Sequence, residues 1–313
     1  MTKVIVTGVA GFIGSNLTKR LLEEGYHVVG IDSFEDYYPR WIKEKNLIEL
    51  KKYHGFKLIE NNIVELDLKH IIKDADYIFH LAAQAGVRGS FGQFFSIYVK
   101  NNILATQVLL EASKNSNIKR FIFASSSSVY GNTPVLPAKE DNLLVPYSPY
   151  GVTKMASEHL VKVYNDNFGV PSVSLRYFTV YGPGQRPDMA FHKFIKAIME
   201  NKAITIYGDG NQTRDFTYVS DIVEANILAM NAPPGSVFNI GGGSRIGLLD
   251  VINIIGNIMN IKPKIDFQSS QKGDVKDTWA DLRLAKEKLG YTPKVKLEQG
   301  LINEVEYIKR LYS

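Results

Sequence analysis

Tyr150 and Lys154 stand four residues apart in Pro149-Tyr150-Gly151-Val152-Thr153-Lys154-Met155-Ala156-Ser157-Glu158, a run that continues as a helical pattern. On a helix this spacing puts both side chains on one face. A phenol beside an ammonium is a proton-transfer device. Free tyrosine titrates near ~10, too high for a general base at neutral pH, and an adjacent cation lowers it. The spacing alone is common: Tyr53-His54-Gly55-Phe56-Lys57 repeats it in the same chain. Position separates the two. Tyr53 leads into an expected strand, whereas Tyr150 follows the hydroxyl run Ser125-Ser126-Ser127-Ser128 at the end of another, and ligands of open α/β sheets gather at the C-terminal ends of strands. The other reading of the serines is a polar loop after a strand.

A second chemical signal opens the chain. Gly8-Val9-Ala10-Gly11-Phe12-Ile13-Gly14 falls between the first expected strand and the first helical pattern, where small residues let backbone N–H groups and a helix dipole approach a pyrophosphate. The spacing is G-x-x-G-x-x-G rather than G-x-G-x-x-G, and tight turns also produce such triplets. Asp32, at the end of the second expected strand, stands where a carboxylate accepts hydrogen bonds from adenosine ribose hydroxyls. It would repel a 2′-phosphate, so NAD is favoured over NADP; a strand-end turn residue is the plainer alternative for Asp32.

These residues need a scaffold, and the pattern supplies one. Val4–Thr7, His27–Asp32, Lys57–Glu60, Tyr77–His80, Arg120–Ser125 and Ser172–Tyr177 read as strands with helical patterns between them. That alternation is the rhythm of an α/β fold with a doubly wound parallel sheet of Rossmann type. After Tyr177 the rhythm breaks, with 191–202 helical, 204–207 strand, 220–230 helical and 237–240 strand. The expected division is an NAD-binding domain over 1–178 and a smaller, mainly substrate-binding lobe over 179–313, with later segments able to cross back. No linker or repeat marks the boundary.

Composition narrows the class. With 313 residues and 45% apolar content the chain can bury a large core. The net charge of +5 is modest and its basic residues are dispersed, which speaks against nucleic acid as a partner. There are no cysteines, so thiol catalysis, disulfides and Cys-based zinc sites are excluded, and a cytoplasmic enzyme is expected. The N-terminus enters a strand at once, leaving no room for a signal peptide, and no apolar run approaches bilayer length, so no membrane is expected. The six histidines include no pair at ligand spacing, and no metal is expected.

Taken together, the glycine loop, His80-Leu81-Ala82-Ala83, Asn101, Ser126, Tyr150 with Lys154, and Arg214-Asp215-Phe216 resemble the extended short-chain dehydrogenase/reductase family nearly end to end. Within it, the segments 176–183 and 186–190 look most like UDP-glucuronate 4-epimerases; UDP-glucose 4-epimerases usually carry Asn where Thr179 stands. The resemblance implies that Gly8, Gly11, Phe12, Ile13, Gly14, Asp32, Asn62, Ile63, Leu81, Ala82, Ala83, Asn101, Tyr150, Lys154 and Tyr177 surround NAD. It implies that Arg214 meets the UDP diphosphate, with Asp274 also on the substrate, and that the chain dimerises with a second copy through helices near 98–113 and 148–167. Two departures stand out. Asn62 replaces an Asp found near the adenine in many relatives, and Gln271 replaces an arginine that often contacts the diphosphate.

The implied reaction is proton removal from the sugar 4-hydroxyl by Tyr150 with hydride passing to NAD, Ser126 hydrogen-bonding the same oxygen. The 4-keto sugar then turns, and hydride returns to its other face. For a uronate this intermediate is a β-keto acid that loses carbon dioxide readily, so Ser127, Ser128, Thr179 and Arg186 are candidates for holding the carboxylate out of alignment with the carbonyl, with Arg88 a further sugar-side contact. A structural ion pair is the plainer reading of Arg186. Related 4,6-dehydratases carry Asp-Glu where Ser127-Ser128 stand, and decarboxylases usually a Glu where Ser128 stands. A UDP-glucose epimerase, a decarboxylase and an NAD-sensing regulator without catalysis remain the alternatives.

Overall fold

Seven parallel strands form the centre of the computed structural model, which describes residues 2–313: β1 (Lys3–Thr7), β2 (His27–Asp32), β3 (Phe56–Glu60), β4 (Tyr77–His80), β5 (Arg120–Ser126), β6 (Ser172–Tyr177) and β7 (Val237–Ile240). Their order across the sheet is β7-β6-β5-β4-β1-β2-β3. The expected strands therefore lie within one residue of those found. The order reverses between β1 and β4, which opens a crevice beyond their C-terminal ends.

Both faces of the sheet are covered, which is why Val4, Ile5 and Val6 can all be buried in succession. On one face Ile5, Ile78, Phe121 and Phe123 pack with Leu109 and Val161 from flanking helices. On the other, Val4, Val6, Val173 and Leu175 share a core with Ile195, Ile222, Phe238 and Leu301. That second core takes residues from both sides of position 178, and β7 pairs with β6 from beyond it. The strand expected in the second lobe is thus the outer strand of the first. Residues 179–313 otherwise supply the helices Ala190–Met199, Leu248–Met259 and Leu297–Tyr312 and a parallel pair of strands, Ala203–Tyr207 with Lys264–Gln268.

The helix Pro149–Phe168 carries Tyr150 and Lys154. Ser148 caps it, its hydroxyl accepting from Gly151 N at 3.1 Å, proline fills the first helical position, and Gly169 ends it in the left-handed region. Gly151 is required by a close approach: a β-carbon there would lie 2.6 Å from the Ser128 carbonyl oxygen. The helix is fastened to the sheet by a buried ion pair. Arg176 on β6 donates from Nη2 to Glu158 Oε1 at 2.6 Å, and Ser125 Oγ on β5 donates to Glu158 Oε2 at 2.6 Å.

A neighbouring wide turn, the π-helical stretch Val99–Leu104, brings Asn102 into the interior. Its Oδ1 accepts from Gln84 N at 2.7 Å and its Nδ2 donates to Thr153 Oγ1 at 2.9 Å, tying the segment after β4 to the Tyr–Lys helix. Tyr53 and Lys57, by contrast, sit at a turn and in β3, so that repeat of the spacing shares no helix.

Removing one partner of the Arg176–Glu158 pair leaves a charge stranded where only 5% and 7% of the two side chains is exposed. Arg176→Met is expected to lower unfolding stability by about 3–5 kcal/mol in urea titrations. A loss under about 1 kcal/mol would mean that the pair does not fasten the helix.

Candidate active site

The crevice between β1 and β4 is a cleft lined by every residue expected around the dinucleotide. Gly8, Gly11, Phe12, Ile13 and Gly14 form one wall, Asp32, Asn62 and Ile63 an end, Leu81, Ala82, Ala83 and Asn101 the opposite wall, and Tyr150, Lys154 and Tyr177 the other end. The glycine turn is tight: a β-carbon on Gly14 would lie 2.1 Å from Gly8 O, and one on Gly8, whose φ is +73°, would lie 2.9 Å from Ala82 N. Thr7 stands beside His80 in the register of β1 and β4, and its Oγ1 lies 2.8 Å from His80 Nδ1 while accepting from Leu81 N and Ala82 N. His80 is wholly buried, and burial pushes its pKa down to about 3. It is a neutral bridge to Thr106, 2.9 Å from its Nε2, rather than a ligand or base.

Asp32 accepts from Ala10 N at 3.0 Å and Phe34 N at 2.9 Å, and burial raises its pKa against those bonds. The departure at Asn62 has a local reason. Its amide donates toward Glu35 Oε1 at 3.3 Å and Asn101 Oδ1 at 3.4 Å, so an aspartate there would set like charges together. Carboxylates at the strand end, glycine N–H groups opposite and space between them fit a dinucleotide lacking a 2′-phosphate.

At the far end, desolvation raises the Tyr150 pKa, and hydrogen bonding from Ser126 and the charge of Arg186 pull it back. Lys154 behaves differently from the sequence expectation. Its Nζ donates to Ala124 O at 2.6 Å instead of contacting the phenol, because the helix is pressed so closely on β5 that the ammonium reaches the strand's end. Burial brings it down to about 8, with Glu158 one turn on opposing that shift.

A second pocket opens beyond Ser126. Ser127, Ser128, Thr179, Arg214 and Asp274 line it, with Tyr147, Ser148 and Thr278. Ser126 Oγ accepts from Ser128 N at 3.1 Å and lies 3.1 Å from Ser128 Oγ, which turns the serine run at the end of β5. Arg214 is held by three backbone carbonyls, Thr213 O, Lys276 O and Val275 O, at 2.7–2.8 Å. Burial lowers its pKa, Asp274 and Asp277 oppose that, and nearby Arg88 adds to it. Arg88 pairs with Asp274, Nη2 to Oδ2 at 2.6 Å, and its guanidinium lies 4.2 Å from the Tyr207 ring centre. Gln271, the other departure, is exposed on the same loop as Asp274.

Arg186 is placed otherwise than expected. It lines the dinucleotide cleft, not the hydroxyl pocket, and is bidentate on Asp188 at 2.9 Å for both bonds. The turn through Gly182 and Gly184 packs on the start of the first helix, with Asn16 Nδ2 donating to Pro183 O at 3.0 Å, and leaves Arg186 paired with Asp188 two residues on. Sequence reasoning also missed Glu35, Tyr37, Tyr38 and Lys43 on the cleft. Their signal was position, directly after β2. Lys43 is buried, donates to Glu35 O at 2.6 Å and offsets the charge of Asp32. Among the described residues no group of three or more His, Cys, Asp or Glu side chains forms a metal cluster, and no helix is long and apolar enough to cross a membrane.

Comparison with known proteins places this arrangement. Residues 4–241 match the NAD dependent epimerase/dehydratase family. The chain belongs to that family. A UDP-glucuronate 4-epimerase of Thermodesulfobacterium geofontis is 41% identical, covering 97% of this chain and 95% of its own length. An uncharacterised UDP-glucose epimerase of Bacillus subtilis is 46% identical over 99% of both chains. The crystal structure of UDP-glucuronic acid 4-epimerase from Bacillus cereus, in complex with UDP-glucuronic acid and NAD, has a TM-score of 0.97 at 47% identity, covering 99% of this chain and 100% of that one.

Lys154 offers a test of the site's electrostatics. With a folded-state pKa of about 8 against an ordinary 10.5, the buried ammonium costs about 3 kcal/mol below pH 8. Between the two values the unfolded chain binds more protons, so stability rises with pH across that window. Lys154→Met, stripped of nucleotide, is expected to melt above the parent at pH 7, with the gap shrinking by pH 10. A difference independent of pH would contradict this origin.

Proposed function

We propose that the chain is an NAD-dependent UDP-glucuronate 4-epimerase, interconverting UDP-glucuronate and UDP-galacturonate through a 4-keto sugar. The carrying observation is that one serine run lines both spaces, Ser125 with Tyr150 on the dinucleotide cleft and Ser127 and Ser128 on the hydroxyl-lined pocket, with serines at both positions where an acid–base pair for elimination would be needed. The likeness to the Bacillus cereus complex supports the same substrate.

In this reading bound NAD accepts the hydride from C4 and later returns it. Tyr150 takes the proton from the 4-hydroxyl, and Ser126 donates to the same oxygen as it becomes a carbonyl. Arg186 and the positive nicotinamide work against the desolvation that otherwise holds the phenol neutral. Lys154, anchored on Ala124 O, adds a cation at neutral pH to the ribose end of the nicotinamide side. Arg214 meets the diphosphate, and Arg88, near enough to act on Arg214, supplies the second positive charge that Gln271 lacks. Anchoring UDP at this end leaves the keto sugar free to turn. Ser127, Ser128 and Thr179 hold the carboxylate in a rotamer that resists loss of carbon dioxide.

The division into a cofactor domain over 1–178, completed by β7 crossing back to it, and a mainly substrate-binding lobe over the rest, a cytoplasmic location and a homodimer complete the proposal. Ile97, Val99 and Leu104 on one helix and Val152, Val163 and Phe168 on the Tyr–Lys helix leave apolar surface exposed for a second copy. Val163→Asp is expected to convert the dimer to monomer in sedimentation velocity; an unchanged dimer would move the interface elsewhere.

The reaction is tested by NMR of purified protein incubated with UDP-glucuronate or UDP-glucose without added NAD. Conversion of UDP-glucuronate to UDP-galacturonate is expected, with Tyr150→Phe slowed by roughly 10²–10⁴-fold. Preference for UDP-glucose would overturn the sugar, appearance of UDP-xylose or a 4-keto pentose would make it a decarboxylase, and no turnover even with NAD would make it a non-catalytic binder.

A further inference from the structure

Three loops that share no strand pairing meet over the dinucleotide cleft, and they meet at Tyr37. It comes from the turn after β2. Its hydroxyl donates to Asp188 Oδ2 at 3.3 Å, in the turn after β6, and its ring centre lies 5.8 Å from the guanidinium of Arg186, itself bidentate on Asp188. The third loop follows β4. There Gly86 runs so close beneath the same hydroxyl that a β-carbon would lie 2.2 Å from it, and its φ of +105° also requires glycine. Tyr98 holds this loop from behind, its hydroxyl within 3.0 Å of Ala85 O and 2.9 Å of Gly86 O. Burial and Asp188 push the Tyr37 phenol up to about 12, so it stays a donor at neutral pH.

Tyr37 and Arg186 both face the cleft that takes the nucleotide. We propose that Tyr37, Asp188 and Arg186 form a clasp that closes the cleft over bound NAD and slows its release in either oxidation state. The inference rests on the epimerase reading, in which the hydride taken from a sugar must return to that same sugar. A cofactor that left while reduced would strand a ketone in the site. The glycine turn and Asp32 give affinity from the sheet side, and neither spans the opening. The clasp does, joining the loop after β2 to the lobe that carries the hydroxyl pocket, and a hydrogen bond to a charged acceptor is strong enough to change a release rate on the order of tenfold.

The test is the release rate of NADH, read by its fluorescence after mixing the loaded protein with excess NAD, with no sugar present. Tyr37→Phe, which removes only the hydroxyl, is expected to release NADH on the order of tenfold faster. Asp188→Ala, which removes the acceptor and with it the partner of the Arg186 fork, should release it at least as fast, and the double variant should be no faster than Asp188→Ala alone, because the Tyr37–Asp188 bond is already lost there. Melting temperatures of the loaded proteins establish that each variant is folded; if one is not, the other carries the reading. Release within twofold of the parent in the folded variants overturns the clasp, as does additivity in the double. Since no sugar is present, failure of the epimerase assay would fault the proposed reaction and leave these rates intact.

Discussion

The carboxylate of Glu158 is the fixed point around which the site is built. Carried into the interior by the Tyr–Lys helix, it takes hydrogen bonds from Ser125 at the end of β5 and from the fork of Arg176 on β6. A buried carboxylate with such partners cannot shift without stranding charge, so the helix has one seat on the sheet. That seat fixes the first turn of the helix against the serine run, with Gly151 and Ser128 at backbone contact. The same anion lies one turn from Lys154 and sustains its positive charge in an environment that otherwise opposes it. Helix placement and cation strength thus have one origin.

From Arg176 the constraint passes outward. Its Nη1 donates to Tyr130, whose hydroxyl donates at 2.7 Å to Asn239 on β7, and Asn239 Nδ2 reaches Ala138 O. Proton chemistry at one end of β5 and closure of the sheet at its outer edge are therefore held by one continuous polar network inside an apolar core. Such networks specify a single arrangement because every member would be left unsatisfied in any other.

What the sequence revealed follows from how local each determinant is. The strands, the glycine turn, Asp32 and the Tyr–Lys pair are written in contiguous residues whose periodicity or spacing is itself the structural signal. Arg186 was grouped with the wrong wall, because its direction depends on a turn with two glycines of positive φ and on a carboxylate two residues away. Tyr37 carries no pattern of its own; its place comes from three loops converging. Lys154 was legible as a cation on the right face, but not its attachment to Ala124 O, which depends on how deeply the helix sinks against β5. Val237–Ile240 read as a strand, while its position beside β6 is a matter of topology that no local run encodes.

That seventh strand has a consequence for how the chain comes to be assembled. Strands β1 to β6 are contiguous with their helices and can pair as they emerge from the ribosome, yet β6 then ends the sheet with a row of unsatisfied amides and carbonyls. Residues 178–236 must be synthesised before β7 covers that row, and meanwhile the apolar strand is open to pairing with another nascent chain. The polar interruptions along it, Ser172, Ser174 and Arg176, make it a poor template for such pairing until Asn239 arrives to complete the network.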